Sequence, residues 1–229
     1  TRSNQACQSS GRLFLFQVMT IMPPADSTTE FNARAKTWDD DPMKTARAQA
    51  VAQGIRARVP LASAMAGLEY GCGTGLLSFA LHPHFRHIVL ADNSPGMLAV
   101  LQKKIDAAGI VNMHPMMLDL MTDPLPQDRF DIVFSLMTFH HIPDTDRILN
   151  EFFALLTSPG YLCIADLDSE DGSFHGADFS GHKGFDREEL AQKAANAGFT
   201  NITFSSVFNI SKGSPPKDFP VFLMVAEKS

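Results

Sequence analysis

Glu69, Gly71, Gly73 and Gly75 alternate in the stretch LEYGCGTGL at 68–76, where a short apolar run ends. An apolar run that breaks into glycines reads as a buried strand entering a tight turn. Such turns bring a backbone close to a ligand that any Cβ would hold off. The spacing excludes two ligand classes. A dinucleotide fingerprint, G-x-G-x-x-G, fails from either start, because its third glycine falls on Leu76 or Ser78. A phosphate loop needs Lys and then Ser or Thr after the glycines, and none follows. What remains is acid-x-Gly-x-Gly-x-Gly, with Cys72 inside it, in a turn of the kind that holds the anionic or polar part of a nucleotide-like ligand.

Asp92 closes the apolar run HIVLAD, 21 residues beyond Gly71, and Asn93 follows it. That interval is the one at which a carboxylate takes the two hydroxyls of a ribose. Met97, and Leu118 or Leu120 on either side of Asp119, are candidates to sandwich a flat base. Ser135 lies near the end of the run FDIVFSL. His140 and His141, in FHHIPD, come a few residues later and are the candidate catalytic groups, since an imidazole can take or share a proton. Adjacent histidines are expected to point in different directions, so one of the two should face a substrate. The acidic segment 166–176, DLDSEDGSFHG, is a second candidate over the same end of the fold. His82, His84 and His87 in HPHFRH read as a surface loop. The run FDIVFSL has no acid at its end, so a magnesium site is not expected there, and no metal site is expected elsewhere.

The elements that must position these residues alternate along the chain. Helical patterns cover DPMKTARAQAVAQGIRARV, the segment after Gly75, SPGMLAVLQKKIDAAG, DTDRILNEFFALL and DREELAQKAANAGF. Strand patterns cover the run ending at Tyr70, HIVLAD, NMHPMML, FDIVFSL and YLCIADLD. Two more, NITFSSVFNI and VFLMVAEK, are joined by SKGSPPKDFP without a helix. The alternation predicts an α/β, doubly wound, Rossmann-like sheet of seven strands, mostly parallel, with an antiparallel C-terminal hairpin. Ligands bind such sheets at the carboxyl ends of the strands, so functional residues are expected just after Tyr70, Leu90, Met117, Phe134 and Ala165.

Taken together, LEYGCGTG, VLADNSPGML, MMLDL, FDIVFSLMTFHHI and LLTSPGYLCIAD resemble, in order, the motifs of class I S-adenosylmethionine-dependent methyltransferases, of the small-molecule type similar to quinone-biosynthesis C-methyltransferases. Ser158 stands where Arg or Lys is commoner. The resemblance covers 31–229 and implies S-adenosyl-L-methionine as cofactor. It assigns the ribose to Asp92 and the adenine amino group to Asp119, and brings Glu69 near the methionine ammonium. It further implies that 31–60 forms a cap, with Phe31 and Trp38 closing over the cofactor. The Asn/Asp-Pro-Pro-aromatic motif of amino-methylating nucleic-acid enzymes is replaced by Ser135-Leu136-Met137-Thr138, and the paired-glutamate loop of arginine methyltransferases is missing from the same place.

The bulk properties are compatible. The 229 residues are 45% hydrophobic and 19% charged, with a net charge of −6, which argues against a partner bound through nucleic-acid phosphates. Cys7, Cys72 and Cys163 are too few and too scattered for a disulfide framework and fit a reducing, cytoplasmic setting. An arm at 1–30 contains LFLFQVMTIM, too short to span a bilayer, so no membrane partner is expected. Its apolar side chains are expected to pack on the domain or on a second copy, giving a homodimer. The expected activity is methyl transfer to a small-molecule acceptor; the alternatives are a cofactor-binding regulatory subunit without activity and a protein side-chain methyltransferase.

Overall fold

A computed structural model describes residues 27–176 and 179–229. Most of the apolar arm, and with it the expected arm-mediated homodimer, lies outside the described residues. The expected arm–domain boundary at 30/31 falls inside the first helix, α1, Ser27–Arg34. A 3-10 turn, Ala35–Asp40, links it to α2, Pro42–Arg58, which Asp41 caps by accepting from Met43 N ahead of a proline suited to the first turn.

From there strands and helices alternate as expected: β1 Ala66–Tyr70, α3 Leu76–Leu81, β2 His87–Asp92, α4 Pro95–Ala108, β3 Met113–Met117, β4 Phe130–Leu136, α5 Thr145–Leu155, β5 Leu156–Leu167, α6 Arg187–Asn196, β6 Thr200–Lys212 and β7 Lys217–Lys228. The seven strands form one sheet in the order β3-β2-β1-β4-β5-β7-β6. Strands β1 to β5 pair in parallel, and β7 runs antiparallel between β5 and β6. Three strands outrun their sequence patterns. β5 begins at Leu156 rather than Tyr161, and SKGSPPKDFP is mostly strand, because Lys212 pairs with Lys217 across a short turn. Pairing partners, which a local pattern does not contain, extended these strands.

The sheet is buried on both faces. Along β7, Val221, Leu223 and Val225 enter one core with α2, α3 and α4, while Phe222, Met224 and Ala226 enter the other with α5 and α6. This period-two alternation between two apolar layers is what a central strand requires. It leaves polar chemistry to the loops at the strand ends.

Candidate active site

The glycine loop leaves β1 at Tyr70 and is pinned at once, as Gly71 N and Cys72 N both donate to Ala91 O, at 2.8 and 3.0 Å. Gly71 has a φ of +69°, and a Cβ there would lie 2.1 Å from Thr138 Cγ2. Its glycine therefore serves the packing of the loop against the turn after β4, where Thr138 Oγ1 donates to Gly71 O at 3.0 Å. Gly73 differs. Its φ is +53°, yet among the described residues a Cβ would meet only Trp38 Nε1, at 3.9 Å, so its backbone faces a space beneath the indole that none of them fills. Gly75 initiates α3 in the left-handed region.

Beside that space stands Asp92, at the carboxyl end of β2. Its Oδ2 accepts from Gly73 N at 2.7 Å and its Oδ1 from Ser94 N at 2.8 Å. Burial raises its pKa, while these amide donors pull it back. A carboxylate has about four acceptor positions, so lone pairs remain for a diol. Asn93 Nδ2 donates to Asp119 Oδ2 at 3.2 Å, joining the two strand-end acids. Met97, Leu118 and Leu120 are all buried. Leu118 N donates to Asp92 O at 3.2 Å and Leu120 N to the Tyr70 hydroxyl at 3.1 Å, which fixes the segment around Asp119.

Three other sequence candidates sit deeper. Ser135 is buried and its Oγ donates to Tyr70 O at 2.9 Å, a tie between β4 and β1. Cys72 is buried, and burial pushes its thiol well above the usual range. Glu69 is 2% exposed and accepts from both the amide and the hydroxyl of Ser78 in α3. Burial raises its pKa to about 8, outweighing the Ser78 bonds, so the group is a neutral acid at pH 7.

The segment before α2 closes over the loop. Asn32 Oδ1 accepts from Ser94 Oγ and Gly96 N at 2.8 and 2.7 Å. Asp39 accepts from Thr74 Oγ1 and Lys104 Nζ, each at 2.5 Å. Trp38 is held edge-on to Phe31, with ring centroids 5.7 Å apart, and under the Lys44 ammonium at 3.6 Å. Phe31 in turn meets the His141 ring edge-on at 5.2 Å, so one cap residue reaches the histidines while the other covers Gly73.

His140 and His141 lie in a 3-10 turn, Phe139–His141, after β4. The expectation that they diverge fails: their ring centroids are 4.2 Å apart and both face His175. The tight turn, unlike an α-helix, stacks the neighbours on one side. His140 is 1% exposed, and its Nδ1 lies 2.6 Å from Asp166 Oδ1. Asp166 is fully buried at the end of β5 and also accepts from His140 N and Leu167 N. Burial opposes its charge, but His140 and these donors together hold its pKa below the usual carboxylate range. The carboxylate therefore fixes the ring through Nδ1 and turns Nε2 toward His175. His175 Nε2 sits 3.0 Å from that atom.

With both nitrogens engaged, His140 acts through its neighbours, and His141 and His175 are the imidazoles that reach the opening. Neither behaves as an ordinary base. Burial first, then the neighbouring imidazoles of His140 and His175, which oppose a further positive charge beside them, lower His141 to about 3. Burial, His140 and Lys212 lower His175 to about 4. Both are neutral at pH 7, with lone pairs free to accept a hydrogen bond or bind an ion.

His175 was legible only as part of the acidic segment 166–176. That segment is not a free loop. Glu170 Oε2 accepts from Gly172 N and Phe174 N, Lys212 Nζ donates to Phe174 O, and Asp168 pairs bidentately with Arg187 at 2.7 Å. These ties carry His175 back to His140, and Phe179 stacks on its far side at 4.0 Å. Arg47, on α2, was missed altogether. Its Nε is buried without a hydrogen-bond partner among the described residues, and burial lowers its pKa against the opposing charges of Asp41 and Asp166. His82, His84 and His87 do not form a ligand group among the described residues. A depression of about 350 Å³ is lined by Asp168, Phe185 and Arg187 rather than by these groups, and its main charges already satisfy each other.

Residues 68–160 match the family described as a methyltransferase domain. An uncharacterized methyltransferase of Schizosaccharomyces pombe is 30% identical over 155 residues, which is 61% of this chain and 55% of that protein. The ubiquinone/menaquinone biosynthesis C-methyltransferase of Vibrio vulnificus is 32% identical over 101 residues, 42% of this chain and 39% of its own. The chain spans about half the length of the yeast and mycobacterial relatives it matches. Among solved structures, phosphoethanolamine N-methyltransferase 2 of Haemonchus contortus, in complex with S-adenosyl-L-methionine, superposes with a TM-score of 0.63 at 17% identity, covering 77% of this chain and 52% of that one. A SAM-dependent methyltransferase from Aquifex aeolicus gives 0.59 at 20% identity, covering 84% and 97%. At these identities the structures attest to a common fold.

Proposed function

The chain carries a methyltransferase domain of the class I S-adenosylmethionine-dependent type, and from that premise we propose that it moves a methyl group from S-adenosylmethionine to a small-molecule acceptor. The observation that carries this reading is the cradle at Gly73, a positive-φ backbone facing open space with the Asp92 carboxylate bonded to its amide at 2.7 Å. The donor set suits a ligand with a diol and no phosphate. In this reading Asp92 holds the ribose hydroxyls, Asn93 and Asp119 meet the base, and Met97, Leu118 and Leu120 back it. The cofactor supplies an electrophilic methyl group on a sulfonium. Glu69, neutral when alone, gives up its proton to pair with an ammonium, directly or through water.

The protein's own contribution is mainly positioning, because holding two reactants in near-attack geometry can supply several kcal/mol. Phe31, Trp38 and Phe179 exclude water, and the acceptor is positioned on the side of His141 and His175. Half-buried Arg47, with its Nε unpaired among the described residues, favours an acceptor that carries an anionic group. The test is incubation with methyl-labelled S-adenosylmethionine and a panel of small acids, phenols, amines and thiols. Acceptor-dependent formation of S-adenosylhomocysteine is the expected result. A protein that binds the cofactor but labels nothing across the panel would favour the regulatory-subunit alternative.

A further inference from the structure

Among the described residues, one group of side chains has the composition and convergence of a metal site: His140, His141 and His175, whose ligand nitrogens all lie within 4.8 Å of one another. We infer that these three imidazoles bind a divalent transition-metal ion of the zinc class. Three imidazole donors at about 2.0–2.1 Å in tetrahedral array place their nitrogens roughly 3.3–3.5 Å apart. The His140–His175 pair stands at 3.0 Å, so closing the group around an ion takes shifts of tenths of an ångström to about an ångström.

The ring of His140 is already oriented for it. Asp166 Oδ1 lies 2.6 Å from Nδ1 and the carboxylate is locked in place by two backbone amides, which turns Nε2 into the group. A buried carboxylate behind a ligating imidazole is how metal-bound histidines are held and made more basic. Two donors come from the tight turn after β4, and the third comes from the segment after β5, which Glu170, Lys212 and Arg187 pin down. A set of three nitrogens with no carboxylate or carbonyl oxygen suits zinc, nickel, cobalt or copper and not magnesium or calcium. Burial is graded from His140, fully interior, through His141 to the exposed His175, so the ion's fourth position faces the opening. Phe31 and Phe179 wall that opening. Coordination by these residues does not depend on methyl transfer, so the site and the proposed activity fail or stand separately.

The experiment uses the full chain without a polyhistidine tag, stripped with chelator and titrated with zinc, cobalt and magnesium salts in a calorimeter. One equivalent of zinc should bind at micromolar affinity or tighter, magnesium should not bind, and cobalt should give the visible bands of a four-coordinate nitrogen site. His175→Ala, on an exposed position, should keep the melting temperature and weaken zinc by at least about a hundredfold. Asp166→Asn should weaken it by about 10–100-fold. The absence of saturable zinc binding to the wild type, or a stoichiometric site that survives His175→Ala, would overturn the assignment. In that case the 3.0 Å contact is a hydrogen bond between two neutral imidazoles and nothing more.

Discussion

Around the glycine loop the decisive polar contacts run to backbone: Gly73 and Ser94 amides on Asp92, Ala91 carbonyl on Gly71 and Cys72, Ser78 amide on Glu69. Around the histidines they run between side chains of separate segments, His140 to Asp166 across 26 residues and His140 to His175 across 35. Backbone contacts depend on the shape of the chain, so their side chains can vary while the site persists. Side-chain contacts fix chemistry and fail with a single exchange. The first wall suits a ligand that every member of a family shares, and the second suits whatever is particular to this protein.

The largest effect expected from the backbone-built wall is on stability against pH. Glu69 has an ordinary pKa of 4.5 and about 8 in the fold. Below pH 4.5 both states hold the proton and the site costs nothing. Between about 4.5 and 8 the unfolded chain releases it while the folded chain does not, so stability falls as pH rises and levels off above 8. At 1.36 kcal/mol per unit, the loss has an upper bound on the order of 4–5 kcal/mol. Glu69→Gln keeps the acceptor for Ser78 and should remove that slope, so denaturant midpoints measured from pH 5 to 9 should diverge from wild type at the alkaline end. Parallel curves would mean that Glu69 is ionised in the fold.

Next comes the seam between the walls. Gly71→Ala puts a Cβ into Thr138 at a positive φ and should cost about 2–4 kcal/mol, a drop on the order of 10 °C in Tm. A wild-type melting curve for this variant would show that the loop and the turn after β4 are not tightly joined. On the side-chain-built wall, His141→Ala or His175→Ala should lower turnover by about a hundredfold and leave cofactor affinity within about threefold. Near-normal turnover in both would assign acceptor handling to other residues, Arg47 foremost.

The same contrast explains what was legible beforehand. The order of elements, the helix starts at Asp41-Pro42 and Ser94-Pro95 and the position of Asp92 are local patterns, and each survives in the structure. The strand extensions in β5, β6 and β7 depend on pairing across the sheet and were not visible. Nor was the meeting of His175 with His140, which rests on Glu170, Lys212 and Arg187 drawing a polar loop back over the strand ends. His140 and His141 were visible as residues but not as a pair of adjoining rings, because sequence does not distinguish a 3-10 turn from an α-helical one at three residues. The fall of His141 and His175 to about 3 and 4 needed the burial that the cap and the loop impose. No metal site was expected from the sequence, and the three-histidine group is a product of the fold.

The division between a cofactor wall and an acceptor wall is tested most directly by one calorimetric comparison, S-adenosylhomocysteine titrated into wild type, Asp92→Ala and His141→Ala. Removing the Asp92 carboxylate takes a charged acceptor from two hydroxyls and should cost about 2–4 kcal/mol, at least a thirtyfold loss of affinity, while His141→Ala binds as wild type does. Unchanged affinity in Asp92→Ala would contradict the assignment of the glycine loop and Asp92 to the cofactor.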